Sequence, residues 1–239
     1  MGKAIALALG GAGYDIALHY NSSVKAASAT AKKIRALGVA CEIFQTNLAQ
    51  MQEFDSFFED VLGTFPNLSV LINSASGYVQ AGISDTQQAD FDFQFALNLR
   101  APYFLSQSFA KLVGAGNIIN ILDNKINFNQ PKYAAYLLTK KALAEFTQLA
   151  ALEFAPDIRV NGVAPGVVMP AETRTPEYID WRVQAIPLKK QGTTSNITDA
   201  ILHLLENDFI SGQILVIDGG ETLGNEGLNA GAYPDQSKV

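Results

Sequence analysis

Tyr136 and Lys140 lie four residues apart in a segment whose apolar residues recur with helical spacing, so one helix face presents a phenol beside an ammonium group. A neighbouring cation stabilises a phenolate and lowers the pKa of a tyrosine below its usual value of about 10. The pair therefore predicts a tyrosine that passes a proton at neutral pH. The same spacing also occurs where a packed tyrosine lies beside a surface lysine, so the surrounding sequence has to decide between the two interpretations.

Polar residues follow several apolar segments that are typical of buried parallel strands. Asp123 comes directly after the apolar run 117–122, thirteen residues before Tyr136. The run 70–72 leads into a polar segment at 73–76, and the run 159–164 leads into Pro165 and Gly166. In open α/β sheets, ligands bind outside the carboxyl ends of the strands. We therefore expect these strand ends and the helix of Tyr136 to converge on one site.

The motifs together resemble the short-chain dehydrogenase/reductase family over nearly the whole chain. The matching segments are Asn-Ser-Ala-Ser at 73–76, Asn-Leu-Arg-Ala-Pro-Tyr at 98–103, the Tyr136/Lys140 pair, and the segments 159–166 and 211–220. The resemblance implies an α/β fold of the doubly wound Rossmann type, with a parallel sheet and helices on both faces. It implies one domain over residues 1–239, a nicotinamide cofactor, and a homotetramer assembled through the helices of Asn98 and Tyr136.

Composition narrows the classes of protein and partner. The chain has 239 residues, 48% of them hydrophobic, which is enough for a full core and excludes a disordered chain. A net charge of −6 without a basic cluster argues against nucleic acid. The single cysteine, Cys41, lies in an apolar run and predicts a buried, inert thiol. We expect small-molecule partners, no metal, no membrane span and a cytoplasmic location.

The amino terminus departs from the family pattern. Family members begin with a central strand and a glycine-rich turn whose amides bind the cofactor pyrophosphate, and Gly2 corresponds to the last glycine of that turn. Residues 1–10 resemble a short secretory signal, but residues 15–20 read as a strand that continues the same folding unit. A missing central strand would leave unpaired strand edges. We expect an N-terminally truncated reading frame or a native chain with impaired cofactor binding.

The residues after the second predicted strand favour NADP(H) over NAD. Asn21, Ser22 and Ser23 provide no carboxylate to bind an adenosine 2′-hydroxyl, and both serines can donate to a 2′-phosphate. The alternative is an ordinary polar turn that caps the next helix. Pteridine reductases of this family have an arginine where Ser22 stands. The resemblance places further cofactor contacts at Gly2, Asn47, Leu48, Asn73, Ala75, Ser76, Tyr136, Lys140, Pro165, Gly166 and Val168.

The substrate prediction depends on Asp123, because most family members have a serine at this position that donates to a carbonyl oxygen. A carboxylate cannot donate, would repel a developing alkoxide, and would raise the pKa of Tyr136. Asp123 instead suits a ring with N–H donors and a C=N bond. Pteridine reductases also have this aspartate, and an aromatic at the position of Tyr78 stacks on the pterin. We expect Ser76, Tyr78, Asp123 and Tyr136 to bind substrate.

Three alternatives remain open at this point. The first is a β-ketoacyl-carrier-protein reductase or another carbonyl reductase of the same family. The second is an enoyl-carrier-protein reductase, because Tyr133 and Lys140 match the longer spacing of those enzymes. The third is a non-catalytic scaffold that keeps the fold and its oligomer surfaces. In the catalytic interpretations the resemblance assigns Asp123, Tyr136, Lys140 and Asn98 to the active site, with Asn98 shaping a water path from the lysine.

Local patterns also predict the elements around the site. Residues 84–87 resemble a capping box that opens the helix carrying Asn98. Residues 167–191 lose their periodicity and contain three prolines, which is typical of a substrate lid. The tail 221–239 is polar and glycine-rich and has no hydrophobic period, which predicts a segment that is mobile or packs on another subunit.

Overall fold

A computed structural model describes residues 1–170, 174–224 and 232–234. Its strands are β1 Ile16–Tyr20, β2 Cys41–Gln45, β3 Val70–Asn73, β4 Gly116–Ile121, β5 Ile158–Pro165 and β6 Ile214–Ile217. Its α-helices are α1 Gly2–Gly11, α2 Val24–Arg35, α3 Phe54–Thr64, α4 Gln88–Phe95, α5 Ala101–Leu112, α6 Ala134–Glu153, α7 Pro176–Val183, α8 Thr194–Glu206 and α9 Glu221–Gly224. The strands pair in parallel and alternate with helices, which confirms the α/β prediction.

The parallel sheet is divided into two parts. β1 pairs with β2, and β3–β4–β5–β6 form a separate four-stranded sheet in that order. Among the described residues, β1 and β3 each pair with a strand on one side only. Leu18 of β1 and Ile72 of β3 are only partly buried, although both pack against the same core. This division lies where the sequence predicted that a central strand is missing.

Helices cover both faces of the sheet, as the fold prediction required. On one face, α1, α2 and α8 contribute Ile5, Ile34 and Ile201 to a core that also contains Ile119. On the other face, α3, α5 and α6 contribute Phe58, Phe109 and Ala150 to a second core beneath β4 and β5. Cys41 is buried in the first core, as predicted. No helix within the described part of the chain combines the length and the apolar character that crossing a membrane would need.

A buried hydrogen-bond network joins the elements that carry the predicted site. Asn73 of β3 donates to Asn120 Oδ1 of β4 at 2.8 Å, and Asn120 donates to Thr147 Oγ1 of α6 at 2.9 Å. Asn73 also donates to Ser106 of α5 at 3.4 Å. Asn120 and Thr147 are both 0% exposed. Since buried polar groups are stable only when paired, the network fixes the register of the two strands against α6.

The segment around Asn98 differs from its prediction. Residues 84–87 do not form a capping box; α4 begins at Gln88 and its N-cap residue Gln87 makes no side-chain cap bond. Thr86 instead donates to Gly82 O, which closes a turn ahead of the helix. The helix is also not continuous, because a π-helical turn, Ala96–Arg100, separates α4 from α5. π-Helical turns often mark functional sites, and this one carries Asn98.

The lid and the tail contain more regular structure than predicted. Within residues 167–191, α7 begins at Pro176, a favoured first helical position, and Thr175 caps it by accepting from Tyr178 N at 3.2 Å. At the start of the tail, α9 forms because Glu221 is buried and pairs with Arg182. The rest of the lid and tail predictions, at 171–173, 225–231 and 235–239, fall outside the described residues.

We predict that Asn120→Ala lowers the free energy of unfolding by about 2–4 kcal/mol, because it removes one hydrogen bond each from the buried side chains of Asn73 and Thr147. Asn117→Ala is a matched control on the same strand, since the Oδ1 atom of Asn117 is buried without a hydrogen-bond partner among the described residues. Urea unfolding measures both variants. An equal loss in the two would contradict the role of the network.

Candidate active site

Asp123 and Tyr136 form a direct hydrogen bond at the carboxyl end of β4. Asp123 follows the strand with an extended backbone, and its Oδ1 accepts from Lys125 N at 2.9 Å, which caps the 3-10 helix Asn124–Asn127. This cap orients the carboxylate and leaves Oδ2 to accept from the Tyr136 hydroxyl at 2.8 Å. The structure therefore brings together the two residues on which the substrate prediction depends.

The electrostatic environment of Tyr136 keeps its phenol protonated. Desolvation of the hydroxyl group is the largest cause that raises the pKa of Tyr136 well above its ordinary value, followed by the charge and the hydrogen bond of Asp123. Ser76 acts in the opposite direction through a weaker hydrogen bond. At neutral pH Tyr136 is thus a proton donor and not a phenolate.

Lys140 does not act on Tyr136 as the helix spacing predicted. Its ammonium group donates to Ile121 O at 2.8 Å and lies 5.9 Å from the centre of the Tyr136 ring. Burial lowers the pKa of Lys140 to about 8, and the charge of Asp123 opposes this shift. The expectation that Lys140 lowers the pKa of Tyr136 is wrong in this structure, because desolvation and Asp123 dominate.

Asn98 connects the π-helical turn to the loop after β3 and to α6. Its Oδ1 accepts from Ser76 Oγ at 3.1 Å and from Gly77 N at 3.0 Å. Its Nδ2 donates to Gly77 O at 2.8 Å and to Thr139 Oγ1 at 3.3 Å. Asn98 is 0% exposed, so it holds the Ser76 loop against the helix that carries Tyr136.

A cavity of about 190 Å³ opens beside the Tyr136–Asp123 bond. Among the predicted site residues it is lined by Tyr78, Asp123, Tyr136, Gly166 and Val168. Tyr78 is 52% exposed, and its ring centre lies 5.8 Å from that of Tyr136. A flat ring entering the cavity would therefore meet an aromatic surface before it reaches the proton donor.

The predicted cofactor residues are distributed over the same edge of the sheet. Asn21 and Asn47 line a larger cavity of about 1080 Å³ at the ends of β1 and β2. Ser22 and Ser23 are exposed, and Ser23 makes no side-chain cap bond to α2. Pro165 ends β5, and Ala75 lies in the loop between Asn73 and Ser76. Two predicted contacts face inward instead: Asn73 belongs to the buried network, and Leu48 packs in the second core.

The start of α1 is suited to an anionic group. No side chain caps this helix end, so no capping residue accepts a hydrogen bond from its first backbone N–H groups. A Cβ at Gly2 would lie 3.5 Å from Ser74 Oγ, a buried hydroxyl without a hydrogen-bond partner among the described residues. Free amides and a free hydroxyl at a helix N-terminus match the pyrophosphate of a dinucleotide. The residues present therefore fit the predicted cofactor.

Comparison with known proteins agrees with this geometry. The family model described as enoyl-(acyl carrier protein) reductase matches residues 1–222. The chain belongs to the short-chain dehydrogenase/reductase family. An uncharacterized oxidoreductase of Mycobacterium tuberculosis is 30% identical, with 94% of this chain and 89% of that protein covered. The 3-oxoacyl-[acyl-carrier-protein] reductase FabG of Staphylococcus epidermidis is 28% identical, with 92% and 93% covered.

A solved structure of another reductase resembles the whole fold. It is FolM alternative dihydrofolate reductase 1 of Brucella canis, crystallised in complex with NADP. The two proteins are 28% identical with a TM-score of 0.86, and the match covers 94% of this chain and 90% of that one. Both FabG and FolM are thus similar to this short-chain dehydrogenase/reductase, although their names denote different substrates.

Sequence reasoning missed the cationic side of the cavity of this short-chain dehydrogenase/reductase. Lys125, Arg174 and Arg182 line it together with Asn124. Lys125 follows Asp123 by two residues, so its position beside the site was readable from the sequence. Arg174 and Arg182 lie in the segment predicted as a lid, where the absence of a pattern gave no indication of which side chains face inward.

We predict that the free energy of unfolding of the wild type rises between pH 8 and about 10, because the folded protein loses the Lys140 proton near pH 8 while an unfolded lysine keeps it until about 10.4. The gain in this window should be about 2–3 kcal/mol. Above it the raised pKa of Tyr136 acts in the opposite direction, since the unfolded tyrosine ionises first.

Lys140→Met is the control for this measurement, because methionine fills the space of the lysine stem and does not titrate. Denaturant unfolding at several pH values should give a smaller rise for Lys140→Met than for the wild type. If the free energy of unfolding changed with pH in the same way for both proteins, the pKa of Lys140 would not be lowered in the folded state.

Proposed function

We propose that this chain is an NADPH-dependent reductase that acts on the C=N bond of a dihydropterin-like ring. The hydrogen bond from the Tyr136 hydroxyl to Asp123 Oδ2, 2.8 Å long, carries this proposal. NADPH, when bound, supplies the hydride that the carbon atom of the C=N bond receives. The nitrogen atom receives its proton from the Tyr136–Asp123 pair.

The carboxylate of Asp123 favours nitrogen over oxygen as the atom that is protonated. A ketone becomes an alkoxide as it is reduced, and a carboxylate beside that oxygen would destabilise the developing negative charge. A ring nitrogen or an exocyclic amine instead offers N–H donors that an ionised carboxylate accepts. Asp123 can thus orient a nitrogen heterocycle, and the Tyr136 hydroxyl lies within hydrogen-bond distance of the Asp123 carboxylate that would do so.

The raised pKa of Tyr136 supports the direction of the reaction. A phenol that keeps its proton at neutral pH can donate it to a reduced substrate. The oxidation of an alcohol would instead need a phenolate to act as base, and desolvation and Asp123 both oppose that form. The protonated state of Tyr136 therefore favours reduction of the substrate over oxidation of an alcohol.

The remaining site residues have distinct proposed roles. Lys140, held by Ile121 O, would bind the nicotinamide ribose, and its Nζ is 5.9 Å from the Tyr136 ring. Asn98 positions Ser76 and Gly77, which directly precede the cavity residue Tyr78. Tyr78 would stack on the substrate ring, an interaction worth about 1 kcal/mol. The α1 terminus and Ser74 would hold the pyrophosphate.

NADPH is preferred to NADH in this proposal because no carboxylate follows β1. Ser22 and Ser23 are exposed there and can donate to a 2′-phosphate. The bound NADP of the FolM structure is consistent with this choice. A homotetramer through α4, α5 and α6 and a cytoplasmic location remain part of the proposal. Phe91, Phe93, Tyr103 and Leu149 are exposed on these helices, which is consistent with an oligomer surface.

Tyr133 is a weaker candidate for the proton donor than Tyr136. Its hydroxyl donates to Gln80 Oε1 at 3.2 Å, and its ring lies 4.8 Å from the Lys125 ammonium group. Tyr136, and not Tyr133, donates to Asp123. The enoyl reductase alternative therefore lacks the contact on which the proposed chemistry depends.

Activity measurements with paired substrates test the proposal. Wild-type protein should oxidise NADPH with a 7,8-dihydropterin and not with an acetoacetyl thioester. Tyr136→Phe should reduce kcat by about a hundredfold or more, because it removes the proton donor and keeps the ring. Asp123→Ser should shift the preference toward the thioester, since a serine hydroxyl donates to a carbonyl oxygen.

Other outcomes would separate the alternatives. Turnover of the thioester alone by the wild type would indicate a carbonyl reductase, and full pterin activity in Tyr136→Phe would reject Tyr136 as the proton donor. Isothermal titration with NADPH provides the control for an inactive preparation. Absence of NADPH binding by a folded protein would favour the non-catalytic scaffold.

A further inference from the structure

The cavity beside Tyr136 has a strongly asymmetric charge distribution. Among the described residues that line it, Asp123 is the one acidic side chain, whereas Lys125, Arg174 and Arg182 are cationic. Arg182 has an ion-pair partner, Glu221. Within the described part of the chain, Lys125 and Arg174 have no carboxylate oxygen within 4.0 Å of their charged nitrogens. The cavity therefore has two cationic side chains that form no direct ion pair with a described carboxylate.

Arg182 is held rigidly and still has an unused donor. Glu221 accepts from Arg182 Nη2 through one oxygen and from Asn124 Nδ2, at 2.9 Å, through the other. Asn124 also donates to Asp218 Oδ2 at 3.3 Å. Arg182 is only 4% exposed, and its Nη1 atom has no hydrogen-bond partner among the described residues. A buried guanidinium nitrogen without an acceptor is unfavourable, and an anion in the cavity would supply that acceptor.

Lys125 and Arg174 both lie over aromatic rings. The Lys125 ammonium group lies 4.8 Å from the centre of the Tyr133 ring, and the Arg174 guanidinium carbon lies 5.1 Å from the centre of the Tyr178 ring. Burial lowers the pKa of Lys125, the charge of Asp123 opposes this shift, and the charge of Arg182 adds to it. Cation–π contacts position the two cations, and Arg174 also forms a hydrogen bond with the Tyr133 side chain. The other N–H groups of the two cations are available to an anion.

We propose that the substrate of this cavity carries a carboxylate group, which Lys125, Arg174 and Arg182 bind while Asp123 and Tyr136 bind the nitrogen heterocycle. This inference rests on the proposed function and narrows it to anionic C=N substrates. The small cavity volume, about 190 Å³, requires the carboxylate to lie close to the ring that is reduced. The repulsion from Asp123 places the carboxylate on the side of the cavity away from that residue.

Two dihydropterins that differ in charge at one position test the proposal directly. 6-Carboxy-7,8-dihydropterin and 6-hydroxymethyl-7,8-dihydropterin share the ring and are similar in size, but only the first has a carboxylate. The wild type should have at least about tenfold higher kcat/KM for the carboxylate, the effect of one charge-assisted hydrogen bond. Lys125→Met should lower kcat/KM for the carboxylate substrate about tenfold, mainly through KM, and should lower kcat/KM for the neutral substrate by much less.

Lys132→Met is the matched control, since Lys132 is exposed and does not line the cavity. Arg174→Gln should reproduce the effect of Lys125→Met. Arg182 is not substituted, because its loss would leave Glu221 buried without its cation. Equal kcat/KM values for the two substrates in the wild type would overturn the proposal, as would an equal loss on both in Lys125→Met.

A binding measurement separates this proposal from the proposed function. Isothermal titration with benzoate and with benzamide probes the anion site without pterin chemistry. Benzoate should bind the wild type and bind Lys125→Met about tenfold more weakly, whereas benzamide should not discriminate between them. Benzoate binding without turnover of either dihydropterin would support the anion site and reject the pterin substrate. Equal binding of benzoate and benzamide would reject the anion site.

Discussion

The hydrogen bond between the Tyr136 hydroxyl and the Asp123 carboxylate is the interaction on which the site depends. It forms because separate hydrogen bonds fix the positions of Asp123 and of the helix that carries Tyr136. The cap on the 3-10 helix uses one carboxylate oxygen and aims the other at the phenol. The buried Asn120–Thr147 contact holds α6, and therefore Tyr136, in register with β4. A shift of either element would break the bond and separate the proton donor from the group that orients the substrate.

The same bond decides the electrostatic character of the site. Desolvation and the negative charge of Asp123 both stabilise the protonated phenol, whereas Lys140 interacts with a backbone carbonyl behind it. The lysine therefore contributes mainly by its fixed position, and its own pKa is lowered to about 8 by burial. We propose that this combination of a protonated phenol, a carboxylate acceptor and cationic side chains favours an anionic nitrogen heterocycle over a simple ketone.

The sequence predicted those features that depend on local pattern. Apolar runs identified the strands, and their carboxyl ends placed Asp123, Ser76 and Gly166 on one edge of the sheet. The division of the sheet between β1 and β3 lies where the sequence analysis expected the central strand of the family pattern. The prediction that was wrong, the direction of the shift in the pKa of Tyr136, depends on burial. The sign of the shift in the pKa of Tyr136 follows from desolvation, which residue spacing does not report.

Contacts between segments that are distant in the sequence could not be predicted from local patterns either. Glu221 is a polar residue in a polar tail, yet it is 1% exposed because Arg182 and Asn124 bind it. Neither partner has a sequence spacing that indicates the pair. Likewise, the predicted capping box at 84–87 has the right residue types, but Thr86 bonds to Gly82 and the helix begins later. The burial of Glu221 thus depends on tertiary contacts, whereas the predicted capping box was wrong because a different local hydrogen bond forms.

The ionisation of Tyr136 tests the central claim most directly. The chain has 8 tyrosines, and subtracting the ultraviolet pH titration of Tyr136→Phe from that of the wild type isolates the phenolate of this one residue. The account predicts a midpoint well above the usual value of about 10, and a lower midpoint when the subtraction is repeated in an Asp123→Asn background. A wild-type midpoint below about 10, or one that Asp123→Asn leaves unchanged, would contradict it.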